Sequence, residues 1–162
     1  MSHSFYLRQA IAQAIKAQSE GQNPIGCVIV DEGGAIIAQA HNEVSKRNDR
    51  TAHAEMLAIQ KAIRAAGNDS ARGWTLYTTI EPCIMCLSTI VMSHIGTVVW
   101  GAEDRHMEAH KLLTATAYMR TRRLVTIACP DADIERECER INSEYWTSMG
   151  RPDVLRPIEG ED

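Results

Sequence analysis

The sequence predicts an α/β protein, a three-layer α/β/α sandwich around a central mixed five-stranded sheet, and three observations carry that expectation. Segments of helical apolar spacing alternate with short β-rich runs. A glycine-turned hairpin comes before a strand, helix and strand in succession, so the sheet combines antiparallel with parallel pairing. Two motifs dense in reactive side chains, His53-Ala54-Glu55 and Pro82-Cys83-Ile84-Met85-Cys86, each stand where a helix is expected to begin.

Taken in order, Phe5, Ile11, Ala14 and Ile15 recur at helical spacing, which gives an opening helix that stops near Gly21. The run Gly21-Gln22-Asn23-Pro24-Ile25-Gly26 breaks it. Residues 27–31 and 35–40 are apolar runs around Glu32, Gly33 and Gly34 and read as a hairpin. Polar residues 42–50 read as a loop. Thr51 is placed to cap a long helix over 52–66, rich in Ala, Leu, Ile, Glu and Lys and ending at Gly67. A strand over 74–79, a helix over 83–93 opened by Pro82, and a strand over 97–100 form a βαβ unit. Residues 108–119 read as helix between loop segments. A last strand at 124–128 and a helix over 130–146, begun by Pro130 and laced with alternating charges, complete the domain. The expected division is one domain over 1–149 and an extended tail over 150–162.

Composition narrows the class. Apolar residues are 44% and charged residues 23% of 162, an ordinary globular balance. No run approaches the roughly 20 apolar residues of a membrane span, and the interrupted apolar stretch at 4–18 does not read as a signal peptide. The expected setting is therefore cytoplasmic, without membrane contact. Five cysteines (27, 83, 86, 129 and 138) are an odd number for a disulfide framework and favour metal binding or burial as thiols. A net charge of −4 disfavours a broad electrostatic grip on a polyanion.

The two motifs supply the chemistry. Both sulfurs of a CxxC at a helix start can turn toward one point, where the helix N-terminus favours the thiolate a metal needs. Cys83, Cys86 and the imidazole of His53 make a three-ligand zinc set with a fourth tetrahedral position left for water, the arrangement of a catalytic rather than a structural site. Glu55, on the same first turn as His53, is placed to take a proton from that water and deliver it to a ring nitrogen and then to a leaving amine. Taken singly, HxE is a common solvated pair and CxxC serves redox or structural-zinc roles. Only their combination is specific, and a redox reading leaves His53 and Glu55 without a task.

HxE with a downstream PCxxC is the pattern of zinc nucleobase deaminases. The chain resembles the cytidine deaminase superfamily, closest to the purine-type branch that holds guanine deaminases and tRNA adenosine deaminases. The likeness runs from Gln22 to Asp104 through Pro24-Ile25-Gly26, Asn42, Thr51-Ala52-His53-Ala54-Glu55 and Glu81-Pro82-Cys83-Ile84-Met85-Cys86. It implies one Zn2+ per chain, Asn42 hydrogen-bonding the base, Ile25 and Ala54 lining the pocket, and a contribution from Asp104. Glu81 and Glu144 are candidate auxiliary proton carriers, and Trp146 a candidate aromatic gate.

The expected function is hydrolytic deamination of a small nucleobase, nucleoside or related aminoheterocycle, guanine-type first, by a homodimer. The alternative is a tRNA wobble-adenosine deaminase, with a cytosine deaminase third because its motif usually carries Gly where Ala54 stands. Against tRNA stand the acidic balance, the ending Glu159-Gly160-Glu161-Asp162, and residues 103–110 in place of a Lys-Thr-Gly-Ala-like run. In its favour stand Gly101-Ala102-Glu103-Asp104 and the cluster Arg120, Arg122 and Arg123. A catalytically dead subunit is disfavoured because Glu55 and all three ligands are retained.

Overall fold

A computed structural model describes residues 1–67 and 71–158; residues 159–162 of the expected tail lie outside the described residues. The elements run α1 (His3–Ser19), β1 (Gly26–Val30), β2 (Ile36–His41), α2 (Val44–Arg47), α3 (Ala54–Ala66), β3 (Thr75–Ile80), α4 (Ile84–Met92) and β4 (Thr97–Ala102). Then come a 3-10 turn at Ala109–Lys111, α5 (Leu112–Ala115), α6 (Ala117–Thr121), β5 (Val125–Ala128), α7 (Ala132–Ser148) and a 3-10 turn at Pro152–Leu155. The strands form one mixed sheet in the order β2-β1-β3-β4-β5, antiparallel across β2-β1-β3 and parallel across β3-β4-β5. The predicted α/β/α sandwich around a mixed five-stranded sheet is the observed fold.

Strand β1 is buried along its whole length, and the two-residue alternation of a strand divides its side chains between two cores. Cys27 and Ile29 join Leu57, Ala58 and Ile59 of α3 and Ile90 of α4 on one face. Val28 and Val30 join Tyr6, Leu7 and Ile11 of α1 and Ile134, Cys138 and Ile141 of α7 on the other. The stripe of α1 that meets the sheet is Tyr6, Leu7, Ala10, Ile11, Ala14 and Ala17. Phe5 and Ile15, expected inward, are 40% and 50% exposed. The small alanines face inward because α1 lies almost backbone to backbone on β1: a Cβ added at Gly26 would sit 2.0 Å from the Ala10 carbonyl oxygen and 2.5 Å from the Ala14 nitrogen. The same device docks α7, since a Cβ at Gly101 would sit 2.4 Å from Cys138 Sγ and 2.7 Å from the Thr79 carbonyl oxygen.

Several local expectations are corrected. Residues 44–47 of the expected loop form a single helical turn. The helix expected over 108–119 is broken into the 3-10 turn, α5 and α6, because Thr116 is extended (φ −126°, ψ 156°) and uses its hydroxyl to accept from the Met119 N–H. Among the described residues the tail is not extended throughout: Pro152–Leu155 is a 3-10 turn lying against α7. Among the described residues no helix is long and apolar enough to cross a membrane.

Gly26→Ala should therefore cost about 2–3 kcal/mol, because rigid backbone opposes the added methyl, and lower Tm by roughly 5–10 °C. Gly73→Ala, where the added atom meets only the movable Glu32 side chain, should stay within about 1 kcal/mol. Thermal denaturation of the two variants checks the contrast, and equal losses would contradict it.

Candidate metal centre and active site

The sequence places its reactive groups at two helix N-termini, and the sheet brings those termini together. β3 ends at Ile80, and Glu81-Pro82 carry the chain to α4. Thr51, expected to cap the following helix, instead donates its hydroxyl to Asp49 Oδ1 at 2.7 Å, and His53 occupies the N-cap of α3. His53 (φ −72°, ψ 153°) and Cys83 (φ −61°, ψ 168°) are both extended N-cap residues whose side chains do not cap their own helices. Both are therefore free to project past the helix end.

His53 Nδ1 lies 3.6 Å from Cys83 Sγ and 3.6 Å from Cys86 Sγ, and the three ligand atoms all lie within 4.8 Å of one another. Tetrahedral zinc with Zn–N near about 2.05 Å and Zn–S near about 2.3 Å requires an N···S edge of about 3.6 Å. The donor atoms thus already span two edges of a zinc tetrahedron. The donor set, one imidazole and two thiols, is that of borderline-soft Zn2+ and leaves a fourth corner for a non-protein ligand. A hydrogen bond from Cys86 and the neighbouring imidazole hold the Cys83 thiol down to about 4, while Cys86, keeping the shared proton, is pushed well above the usual thiol range. The thiolate of Cys83 raises His53 in turn. A divalent cation satisfies all three groups at once.

Glu55, second residue of α3, is 3% exposed. Its Oε1 accepts from the Thr78 hydroxyl at 3.1 Å, and its Oε2 lies 3.5 Å from Cys86 Sγ. Burial raises its carboxyl above the ordinary value, toward the working range of a general base and acid. Cys27, fully buried beside it, is a neutral thiol pushed up by burial.

The other predicted residues divide by position. Ile25 and Asn42 are joined by the bond from the Asn42 N–H to the Ile25 carbonyl at 3.0 Å. They lie at the same sheet edge as Glu81 and Cys83, since Gly26 pairs with His41 and Cys27 with Thr78. Asn42 is buried, and its Oδ1 accepts from the Val44 N–H at 3.2 Å. Ala54 is fully buried as the first residue of α3.

Glu81, expected as a proton carrier, is a clamp in this structure. Its buried carboxylate accepts from the Asp104 N–H at 3.2 Å and from the His110 N–H and ring Nδ1 at 2.8 Å each. Asp104 is turned inward on its own loop, accepting from the His106 and Met107 N–H groups at 3.0 and 3.1 Å. Glu144 and Trp146 are not brought to the metal ligands. They stand on α7, in the layer across the sheet from α3 and α4, where Glu144 is exposed and paired with Arg140 at 2.9 Å and Trp146 packs edge-on against Tyr145 with ring centroids 5.2 Å apart.

Sequence reasoning missed Thr78 and His110. The signal for Thr78 was a pair of threonines in an otherwise apolar central strand, a buried hydroxyl that must find a partner. For His110 there was none, because its contact with Glu81 bridges 29 residues.

The fold and centre have close counterparts. Residues 1–102 match the model of the cytidine and deoxycytidylate deaminase zinc-binding region. A tRNA-specific adenosine deaminase of Aquifex aeolicus (strain VF5) is 44% identical over 105 residues, 65% of this chain and 69% of that protein. Relatives of the same name from Bacillus subtilis and Streptococcus pyogenes are matched over 59–64% of their length, so the chain spans roughly three fifths to two thirds of these relatives. A solved structure from studies of A-to-I editing by tRNA:A34 deaminases superposes with TM-score 0.71 at 29% identity, covering 78% of this chain and 98% of that one. A guanine deaminase of Bacillus subtilis superposes with TM-score 0.62 at 40% identity, covering 69% and 70%.

The purified protein should contain about one zinc per chain by elemental mass spectrometry. Cys83→Ser and Cys86→Ser should each lose it, and chelation should lower Tm, because metal affinity adds to folding free energy. Full zinc content in the Cys86→Ser variant would remove that sulfur from the ligand set.

Proposed function

The chain belongs to the cytidine and deoxycytidylate deaminase family, and from that premise we propose that it deaminates a purine, adenosine at the wobble position of a tRNA being the first reading. The observation that carries the reaction type is the buried Glu55 carboxylate beside the convergent His53, Cys83 and Cys86. What favours adenosine in tRNA is the relatives, 38–46% identical and named for it. That reverses the order the sequence suggested, in which a free guanine-type base came first. The sequence-based objection rested on residues beyond 102, which lie outside the family match. A guanine-type free base stays as second reading on one observation, the 40% identical guanine deaminase structure.

His53, Cys83 and Cys86 would hold the zinc ion. When bound, the metal supplies the Lewis acidity that brings a water to a pKa of about 7. Glu55 takes the proton of the attacking water at Oε2, while Thr78 fixes the other oxygen and so the plane of the carboxylate. The same carboxylate delivers that proton to the ring nitrogen, then takes the proton of the hydroxyl newly added at the ring carbon and passes it to the departing amine. Oxygen is added at the ring carbon and ammonia leaves, with no net proton consumed within the site. Asn42 and Ile25, joined through the backbone, form the wall that orients the base. The packing of α3 against β1 and β2 buries Ala54 and Glu55 beside the metal ligands. A second copy of the chain completing the pocket is part of the same proposal.

Glu55→Gln should keep zinc and lose about 10²–10⁴-fold in kcat. Thr78→Val, which removes one hydrogen bond to the carboxylate, should lose about tenfold in kcat with KM little changed. Ammonia release assayed on an anticodon stem-loop bearing wobble adenosine, beside guanine, adenine, cytosine and their nucleosides, decides the substrate. Turnover of guanine with silence on the RNA would overturn the first reading, and unchanged turnover in Glu55→Gln would overturn the mechanism.

A further inference from the structure

At the edge of the sheet opposite the metal centre, three separate segments close around a cavity of about 280 Å³: Arg72 before β3, residues 91–96 at the end of α4, and residues 121–124 leading into β5. Its polar side chains among the described residues are Arg72, His94, Thr121, Arg122 and Arg123, and no carboxylate among those residues lines it. For a chain of net charge −4 this is a local reversal of sign. None of the three arginines pairs with a carboxylate among the described residues. Arg72 also borders the cleft at the β1-β2 turn, which Asp31 and Glu32 line, so Arg122, Arg123 and His94 define the sign of the cavity.

Arg122 is held in place before any ligand arrives. Its guanidinium carbon lies over the Tyr118 ring, 4.3 Å from the centroid, and a terminal nitrogen donates to the Tyr118 hydroxyl. Its Nε is buried without a hydrogen-bond partner among the described residues. A guanidinium fixed by stacking, with its other terminal nitrogen free to donate, suits a phosphate oxygen at low cost in side-chain entropy.

We propose that this cavity is a phosphate-binding site. β3 runs from beside the cavity at Thr75 to beside the metal centre at Ile80, so the two are separated by about 17 Å of strand. The phosphate held here is therefore not one adjoining the base under reaction. It belongs to a more distant part of an RNA backbone or to a free phosphorylated small molecule. The site does not depend on which purine is the substrate.

The test compares the zinc-loaded protein with Arg123→Glu, Arg122→Lys and a control of equal charge change on α1, Arg8→Glu. Titration with inorganic phosphate, at ionic strength held constant with chloride, should raise Tm saturably in the parent and in Arg8→Glu. In Arg123→Glu the rise should vanish, and in Arg122→Lys it should need several-fold more phosphate, because the stacking that fixes the cation over Tyr118 is lost while the charge remains. Anisotropy with an anticodon stem-loop RNA separates the sources. If Arg123→Glu weakens RNA binding about tenfold more than Arg8→Glu and reduces the salt dependence by about one phosphate contact, the phosphate is that of RNA. If phosphate binds and RNA affinity is untouched, it is that of a small molecule. If phosphate gives no saturable effect and the RNA affinities of Arg123→Glu and Arg8→Glu are equal, the proposal falls, and the arginines only offset the negative end of α4. Zinc content and turnover of a free base should be unchanged in all three variants, so this outcome is read apart from that of the proposed reaction.

Discussion

The structure turns on two helix N-caps meeting at one point. A residue at an N-cap leaves its helix with extended backbone, and its side chain is free to reach beyond the first turn. Placing His53 and Cys83 there, with neither side chain spent on its own N–H groups, lets an imidazole and a sulfur thirty residues apart stand 3.6 Å from each other. The positive ends of both helices favour thiolate over thiol, and the third donor, Cys86, follows from one turn of α4. What brings the caps together is the sheet. α3 lies over β1 and β2, while α4 starts where β3 ends, so the order β2-β1-β3 sets the distance between them.

Burial then makes one carboxylate useful. Glu55 is enclosed by α3, β1, β3 and the start of α4, and loss of solvent raises its carboxyl. A carboxylate so placed would be a liability without Thr78, whose hydroxyl from the central strand satisfies one oxygen and leaves the other facing the sulfurs. The polar pair Thr78-Thr79 is thus divided by strand alternation between the site and the frame, since Thr79 Oγ1 accepts the Gly26 N–H at 3.2 Å.

The last third of the chain reaches the site indirectly. Glu81, two residues before the first sulfur ligand, holds the loop at Asp104 and His110. His106 on that loop contacts the Arg156 carbonyl of the tail at 3.0 Å. The tail turn rests on α7, and α7 rests on Gly101 of β4. The region that matches the family model ends at residue 102, just before that loop.

The sequence by itself determined the layered α/β class and picked out His53, Glu55, Cys83 and Cys86 as candidates, because periodicity and each short motif are written in neighbours along the chain. The structure joined Asn42 to Ile25 through a backbone hydrogen bond across the flanks of the hairpin. The sequence could not tell that Phe5 and Ile15 would face outward, because that follows from how closely Gly26 lets α1 approach β1. Only the tertiary structure bound Glu81 to Asp104 and His110, put Glu144 and Trp146 across the sheet from the metal ligands, and gathered Arg72, Arg122 and Arg123 about one cavity. Each of those outcomes depends on contacts between residues far apart in the chain. Such contacts are set by packing that no local pattern records.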